Sequence, residues 1–380
     1  AAREFESAIT GVFKTVEGSD AQLQQISDDI KEMSLRIPAA TTEIAGVAEA
    51  AGQLGIQTEN ITDFTEVMIN LGVATNLTAD EAATMLAQFS NITKMDPNDY
   101  ERLGSTIVSL GNNFATTESK IVEMGQRIAS AGTIAGFSEP QIMALATALS
   151  SMGIESEAGG SAMSKLISKL QFAVETGDDL EDFASVANMS AQEFKSAWGI
   201  DAVTALEAFI SGLNDTERNG NSAIVVLNDL GIKEVRLRNA ILSLASSDDI
   251  LAKAVNTANT AWEENNALQA EADKRYSTTD SKMEILRNSV NAMKIAVGDV
   301  FLPVLNKLAD AGSEATQWIT KVIENRPWVV SAVTAITTAV GVLAVGITGY
   351  TVVTKIAAAA TAAFTAVMNA NPIFLVATAV

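Results

Sequence analysis

Thr78-Ala79-Asp80-Glu81-Ala82-Ala83-Thr84-Met85-Leu86-Ala87-Gln88-Phe89 is a helix written with its own start signal. The Thr78 hydroxyl can accept from an orphan amide in the first turn, Glu81 can reach back to the first amide, and an apolar run follows. The same signal returns at Ser138-Glu139-Pro140-Gln141 before Ile142 to Leu149, and at Ser190-Ala191-Gln192-Glu193 before Phe194. Pro140 falls where a missing amide proton costs little. The preceding glycines, Gly72, Gly132 and Gly136, suit helix exits and turns. From about Thr41 to Leu170 the chain therefore reads as a loose internal repeat of polar loop, cap and apolar helix. This predicts a compact array of short antiparallel helices.

Outward from that core the helical spacing continues. Only 6 prolines interrupt 380 residues, and apolar side chains recur three and four apart rather than two, so the chain is predicted to be all-α. Leu23, Ile26, Ile30, Met33 and Ile37 form a stripe that Pro38 ends, which fits either an amphipathic helix packed on its own domain or the tail of a coiled coil. After about Leu180 a second helical stretch has expected loops at Asn214 to Asn221 and Ser246 to Asp249. A long polar helix is expected to begin near Ala261. Within it Met283, Leu286, Val290, Met293, Val297, Val300 and Val304 keep coiled-coil spacing, and Pro303 should kink it. The expected segments are an amphipathic or coiled-coil helix at 1–38, a helical core domain at 39–213, a helical extension at 214–260, the long striped helix at 261–326 and a hydrophobic segment at 327–380.

That last segment has a distinct composition. Pro327 to Thr354 carries no charge, and after Lys355 the sequence is uncharged again to Val380. A helix over the first stretch would reach about 42 Å, more than the ~30 Å hydrocarbon core of a bilayer requires. Trp318 and Trp328 flank its start, and Tyr350 lies near its far end beside Lys355, where amphipathic rings and a snorkelling lysine suit a membrane interface. Burial in a large oligomer is the other reading, with Ser331, Thr334, Thr337, Thr338 and Gly341 favouring close helix packing. Asn369, Asn371 and Pro372 interrupt the second stretch.

Charge and composition exclude whole classes of function. Lys plus Arg total 25 against 46 Asp plus Glu, for a net charge of −21, which opposes phosphate backbones and makes nucleic acid a poor direct ligand. With no cysteine and no histidine, the chain lacks thiol nucleophiles, disulfides, imidazole metal ligands and any Ser/His/Asp triad. Glu155-Ser156 ahead of Gly159-Gly160 could hold a general-acid carboxyl, but a loop entering a helix explains the same residues. The carboxylate pairs Asp28-Asp29, Asp178-Asp179, Asp248-Asp249 and Glu263-Glu264 read as helix-start charges or solvated faces. No calcium loop, phosphate loop or nucleophile elbow is present. No catalytic, cofactor or metal site is expected, and the chain is read as a non-enzyme. It starts at Ala1-Ala2-Arg3-Glu4 and stops inside an apolar run, which is the expectation for a segment of a longer polypeptide.

One ordered set of residues points to a family. Leu110-Gly111-Asn112-Asn113-Phe114-Ala115-Thr116-Thr117-Glu118, then Ile121-Val122-Glu123-Met124, Ala135-Gly136-Phe137-Ser138, Ala144-Leu145-Ala146 and Ser151-Met152-Gly153-Ile154-Glu155-Ser156-Glu157-Ala158-Gly159-Gly160-Ser161-Ala162-Met163 resemble the core of phage tail tape measure proteins of the TP901 type. The resemblance spans about Thr41 to Leu213. Val297-Gly298-Asp299-Val300-Phe301-Leu302-Pro303 resembles the lead into the hydrophobic region of such proteins. It implies a long helical chain, present in several copies inside the tail tube of the virion, whose length sets the number of tube rings. It also implies apolar segments that help the genome cross the host membrane during infection. The implied partners are other copies of itself in a helical bundle, tail tube and tail tip proteins, a tail assembly chaperone and the host membrane, with no cofactor. A pore-forming or toxin-like membrane-inserting protein is the alternative that shares this layout. A fully helical chain of this length would reach about 570 Å, yet the capped core reads as globular, so most of a ruler is expected outside this segment.

Overall fold

The structure is a computed structural model that describes residues 1–311 except 219 and 248, and for 218, 297 and 299–311 it describes the backbone alone. The described residues form 17 α-helices joined by short loops, with no strand. Residues 4–289 make one compact unit, the body.

The body is built on a stack of helical pairs. Helices α1 (Ala2–Thr15), α2 (Asp20–Arg36) and α3 (Thr41–Gln53) are followed by α4 (Ile61–Ala74) and α5 (Ala79–Thr93), α6 (Tyr100–Asn113) and α7 (Glu118–Ile134), then α8 (Glu139–Ser151) and α9 (Ser156–Thr176). Helices α2, α4, α6 and α8 pack side by side in one layer, and α3, α5, α7 and α9 in the other. The starts of α4, α6 and α8 fall at Ile61, Tyr100 and Glu139, equal steps of 39 residues. Leu71, Leu110 and Leu149 occupy one register position in this repeat and are fully buried. Each pair presents an apolar face that only its neighbours can cover, as in other stacked helical repeats.

Local chemistry sets the helix starts. The Thr78 hydroxyl accepts from the Glu81 amide at 3.2 Å, and the Glu81 carboxylate accepts from the Thr78 amide at 2.9 Å, closing the capping box of α5. Ser190 and Glu193 do the same at the start of α11 (Ala191–Ile200), and Ser138 with Gln141 at α8. The amide and hydroxyl of the capping residue hold the Glu81 and Glu193 carboxyls below the usual glutamate range. The expected boxes are therefore present. The glycines divide. Gly136 takes a left-handed turn with φ of 85°, whereas Gly72 and Gly132 lie inside helices. A Cβ on Gly72 would come within 2.9 Å of the Ala79 amide nitrogen, and one on Gly132 within 3.0 Å of Ile142, so these two permit close helix contact rather than a turn.

Beyond α9 the chain reverses through α10 (Leu180–Val186), α11, α12 (Ala202–Arg218) and α13 (Ala223–Asp229). Phe183, Phe194, Phe209 and Trp198 are buried there, with Phe183 and Phe209 rings 5.7 Å apart and Trp198 6.3 Å from Phe137 of the stack. Then α14 (Val235–Ala245), α15 (Ile250–Glu264), α16 (Ala267–Tyr276) and α17 (Thr279–Ala311) begin to retrace the stack: α14 lies on α9 and α8, α15 on α8 and α6, α16 on α6 and α4. Through α15 and α16 this third layer covers the even-numbered helices α4, α6 and α8.

Several expectations change. Of the two readings of the Leu23 to Ile37 stripe, the amphipathic helix packed on its own domain is the one seen, since Ile26, Ile30, Met33 and Ile37 are buried. The loop expected at Asn214 starts later, because α12 runs to Arg218. The helix at Ala261 is the end of α15, and the chain breaks twice before α17, at Asn265–Asn266 and at Ser277–Thr278. Helix α17 continues through Pro303 to Ala311. Residues 327–380, with Trp318, Trp328, Tyr350 and Lys355, lie outside the described residues.

Two contacts near the reversal give direct tests. A Cβ on Gly212 of α12 would sit 1.6 Å from the Val186 carbonyl oxygen at the end of α10, while one on Gly46 of α3 would meet nothing within 4 Å. Gly212→Ala is expected to lower stability by about 1–3 kcal/mol, the usual cost of overpacking. Gly46→Ala should raise it by about 0.5–1 kcal/mol through helix propensity, both read by urea denaturation. Glu207, also on α12, has a buried Oε1 without a hydrogen-bond partner. Burial, then Asp201 and Asp249, push its carboxyl above the usual glutamate range. A raised carboxyl favours the folded state when protonated, and that contribution is lost as pH rises through the raised value. Glu207→Gln should therefore have a higher Tm than the parent at neutral pH, and the gap should close as pH falls into the ordinary glutamate range. A gap independent of pH would overturn this.

Candidate functional site

Among the described residues no group of three or more acidic side chains is placed to hold a metal. Glu155 is the N-cap of α9 and Ser156 its first residue, while Gly159 and Gly160 approach Met124 and Arg127 of α7, so this motif is a helix start packed on a neighbour. Asp28 pairs with Lys31, Asp29 accepts from Gln25 and Thr62, and Asp179 pairs with Lys169. These carboxylates have structural partners.

The arrangement that gathers residues from distant parts of the chain is a polar clasp. Arg36, the last residue of α2, donates twice to the Glu66 carboxylate on α4, one of these bonds spanning 2.7 Å. The bidentate bond raises the Arg36 pKa above its ordinary value. One turn along α4, the buried Asn70 accepts from the hydroxyl of Tyr276, the last residue of α16. Burial, with Glu66 and Asp273 adding to it, pushes the Tyr276 phenol above its usual range, so it remains a donor. Asn288 on α17 is buried and donates to the Ile37 and Ala39 carbonyls, the latter at 2.7 Å, where Pro38 has ended the helix. A cleft of about 260 Å³ opens beside Glu66 and Asn70, with Asp63 and Glu101 on its wall and Gln269 of α16 on its rim. Sequence reading singled out none of these clasp residues. The available signal was a polar residue, Asn288, at helical spacing between Ile285 and Ile295.

The α17 stripe is only partly covered. Met283, Leu286 and Val290 are half-buried and Met293 is 51% exposed. Val297, Val300 and Val304 lie on the same helix. No helix among the described residues is long and apolar enough to cross a membrane.

No solved structure matches the chain. A protein named probable tape measure protein, from Halomonas phage phiHAP-1, is 23% identical over 321 residues, which cover 81% of this chain and 37% of that protein. The chain thus spans a little over a third of the length of the curated relative it matches. The family model for phage-related minor tail protein matches residues 27–227, from the middle of α2 past the reversal and into α13. The chain belongs to the phage-related minor tail protein family.

Proposed function

We propose that this chain is part of a tail tape measure protein, a non-enzymatic component of the virion held in the lumen of the tail tube. The observation that carries the proposal is the family match across the stacked body, joined by the similarity to a probable tape measure protein over most of the chain. In this reading the chain helps set tail length. Its partners are other copies of itself, met along the half-covered α17 stripe, together with tube and tip proteins and an assembly chaperone. The net charge of −21 suits a chain that occupies the tube before DNA without binding it. The uncharged run from Pro327 to Thr354 acts on the host membrane during genome delivery. The pore-forming reading has only this same run in its favour.

Inserting four extra heptads copied from Met283 to Ser289 into the full-length gene tests the length role by electron microscopy of tails. A gain near 42 Å is expected, from about 28 residues at 1.5 Å each; unchanged tails would remove α17 from the ruler. Liposomes should protect the segment after Pro327 from protease, and complete digestion both in lipid and in assembled tails would end the membrane role.

A further inference from the structure

The two corners that bound α16 are made without glycine or proline, by Asn265–Asn266 and Ser277–Thr278. From Ile250 to Val297 the sequence contains neither glycine nor proline, so local chemistry permits one continuous helix. The first break is held locally, by the Asn265 N–H donating to the Ala261 carbonyl at 3.0 Å, and also from outside. Asn265 is left-handed with φ of 46°, a conformation asparagine tolerates, its side-chain amide nitrogen donates to Glu101 of α6 at 3.3 Å, and its Oδ1 is buried without a partner. The Leu268 amide, in the first turn of α16, is capped by the Ser105 hydroxyl of α6 at 3.3 Å. The second break is capped locally by Thr278, which accepts from the Ser281 amide at 3.3 Å, and is flanked by the Tyr276 and Asn288 pins.

Between the corners α16 is poorly anchored. Of its ten residues only Leu268 and Ala272 are buried. Leu268 fits the space over Gly104, where an added Cβ would lie 2.8 Å from it, close to Val67 and Leu71. The remaining hold is polar, through Asn265, Ser105, Tyr276 and Asn288, and the Asn288 Oδ1 is also buried without a partner. Two buried amide oxygens without a protein partner add to the cost of holding α16 in place.

We propose that α16 is a releasable strap: once Leu268, Tyr276 and Asn288 leave their seats, the corners at Asn265–Asn266 and Ser277–Thr278 close into one helix running from α15 through α16 into α17. Release frees both buried amide oxygens to water and uncovers the groove between α4 and α6. The proposal rests on the geometry of the body and stands independently of the tail reading.

The chain has no cysteine, so spin labels at Asn256→Cys and Lys282→Cys report on the strap alone, both sites being exposed. In one straight helix their backbones would be about 39 Å apart, and any corner shortens that. Combining Leu268→Ala with Tyr276→Phe should raise the straight population about tenfold while circular dichroism shows the body still folded. Tyr276→Phe with Asn288→Ala, which keeps the apolar anchor, should move it in the same direction. Adding Ala267→Pro and Thr279→Pro, each at a first helical position that tolerates proline but blocks the interior of a continuous helix, should abolish the long distance. A long-distance population that persists with both prolines would overturn the proposal. So would its absence from both loosened variants.

Discussion

The body depends on the small-residue face of α15. Leu251, Ala254, Val255, Ala258 and Ala261 recur three and four apart and are all buried, and alanine lets one backbone come close to two others at once. Helix α15 uses this face to lie across α6 and α8, joining residues more than a hundred positions apart. Stacked helical pairs cover each other only within their two layers, so the outer face of the even-numbered helices needs a lid of their own chain or of another. Because α15 supplies it, α14 and α16 are brought onto neighbouring pairs, and the Asn288 end of α17 reaches the turn after α2.

What could be read from the sequence divides along the range of the forces involved. The starts at Thr78, Ser138 and Ser190 were legible because the capping partners are three residues apart. The all-helical character was legible from spacing, and the ordered core residues pointed to the right family. Gly72 and Gly132 were misread because a glycine that permits a turn and one that permits close approach look alike until the neighbouring helix is present. The break at Asn265 was missed because asparagine can cap a helix left-handed or sit within one, and the groups that add to its hold, Glu101 and Ser105, lie more than 160 residues away. The clasp was hidden for the same reason. Tyr276 and Asn70 are separated by 206 positions, and each alone is an ordinary helical residue.

The mixture of apolar and polar anchoring gives the third layer graded strength. Helix α15 is held by five buried apolar residues, α16 by two, and α17 within the body by a buried amide and a half-covered stripe. Apolar burial contributes in proportion to area, at about 25 cal/mol per Å², whereas a neutral hydrogen bond adds only about 1 kcal/mol net. Stability should therefore fall from α15 towards α17, and local opening should begin at the end where the chain leaves the body.

This packing also bears on how such a chain could measure length. One 39-residue step of the stack advances the structure by the spacing of packed helices, about 8–10 Å. The same residues drawn out as a single helix would span about 58 Å. A ruler read along the chain gains several-fold more length per residue from extended helix than from the stacked body. The 33 residues of α17 alone reach about 50 Å, as much as five or six steps of the stack. If length is measured by this chain, it is measured where the helices stop pairing. On that proposal the body, whose caps and close glycine contacts favour a folded globule against the self-repulsion of its acidic charge, would be the end from which the measurement is taken.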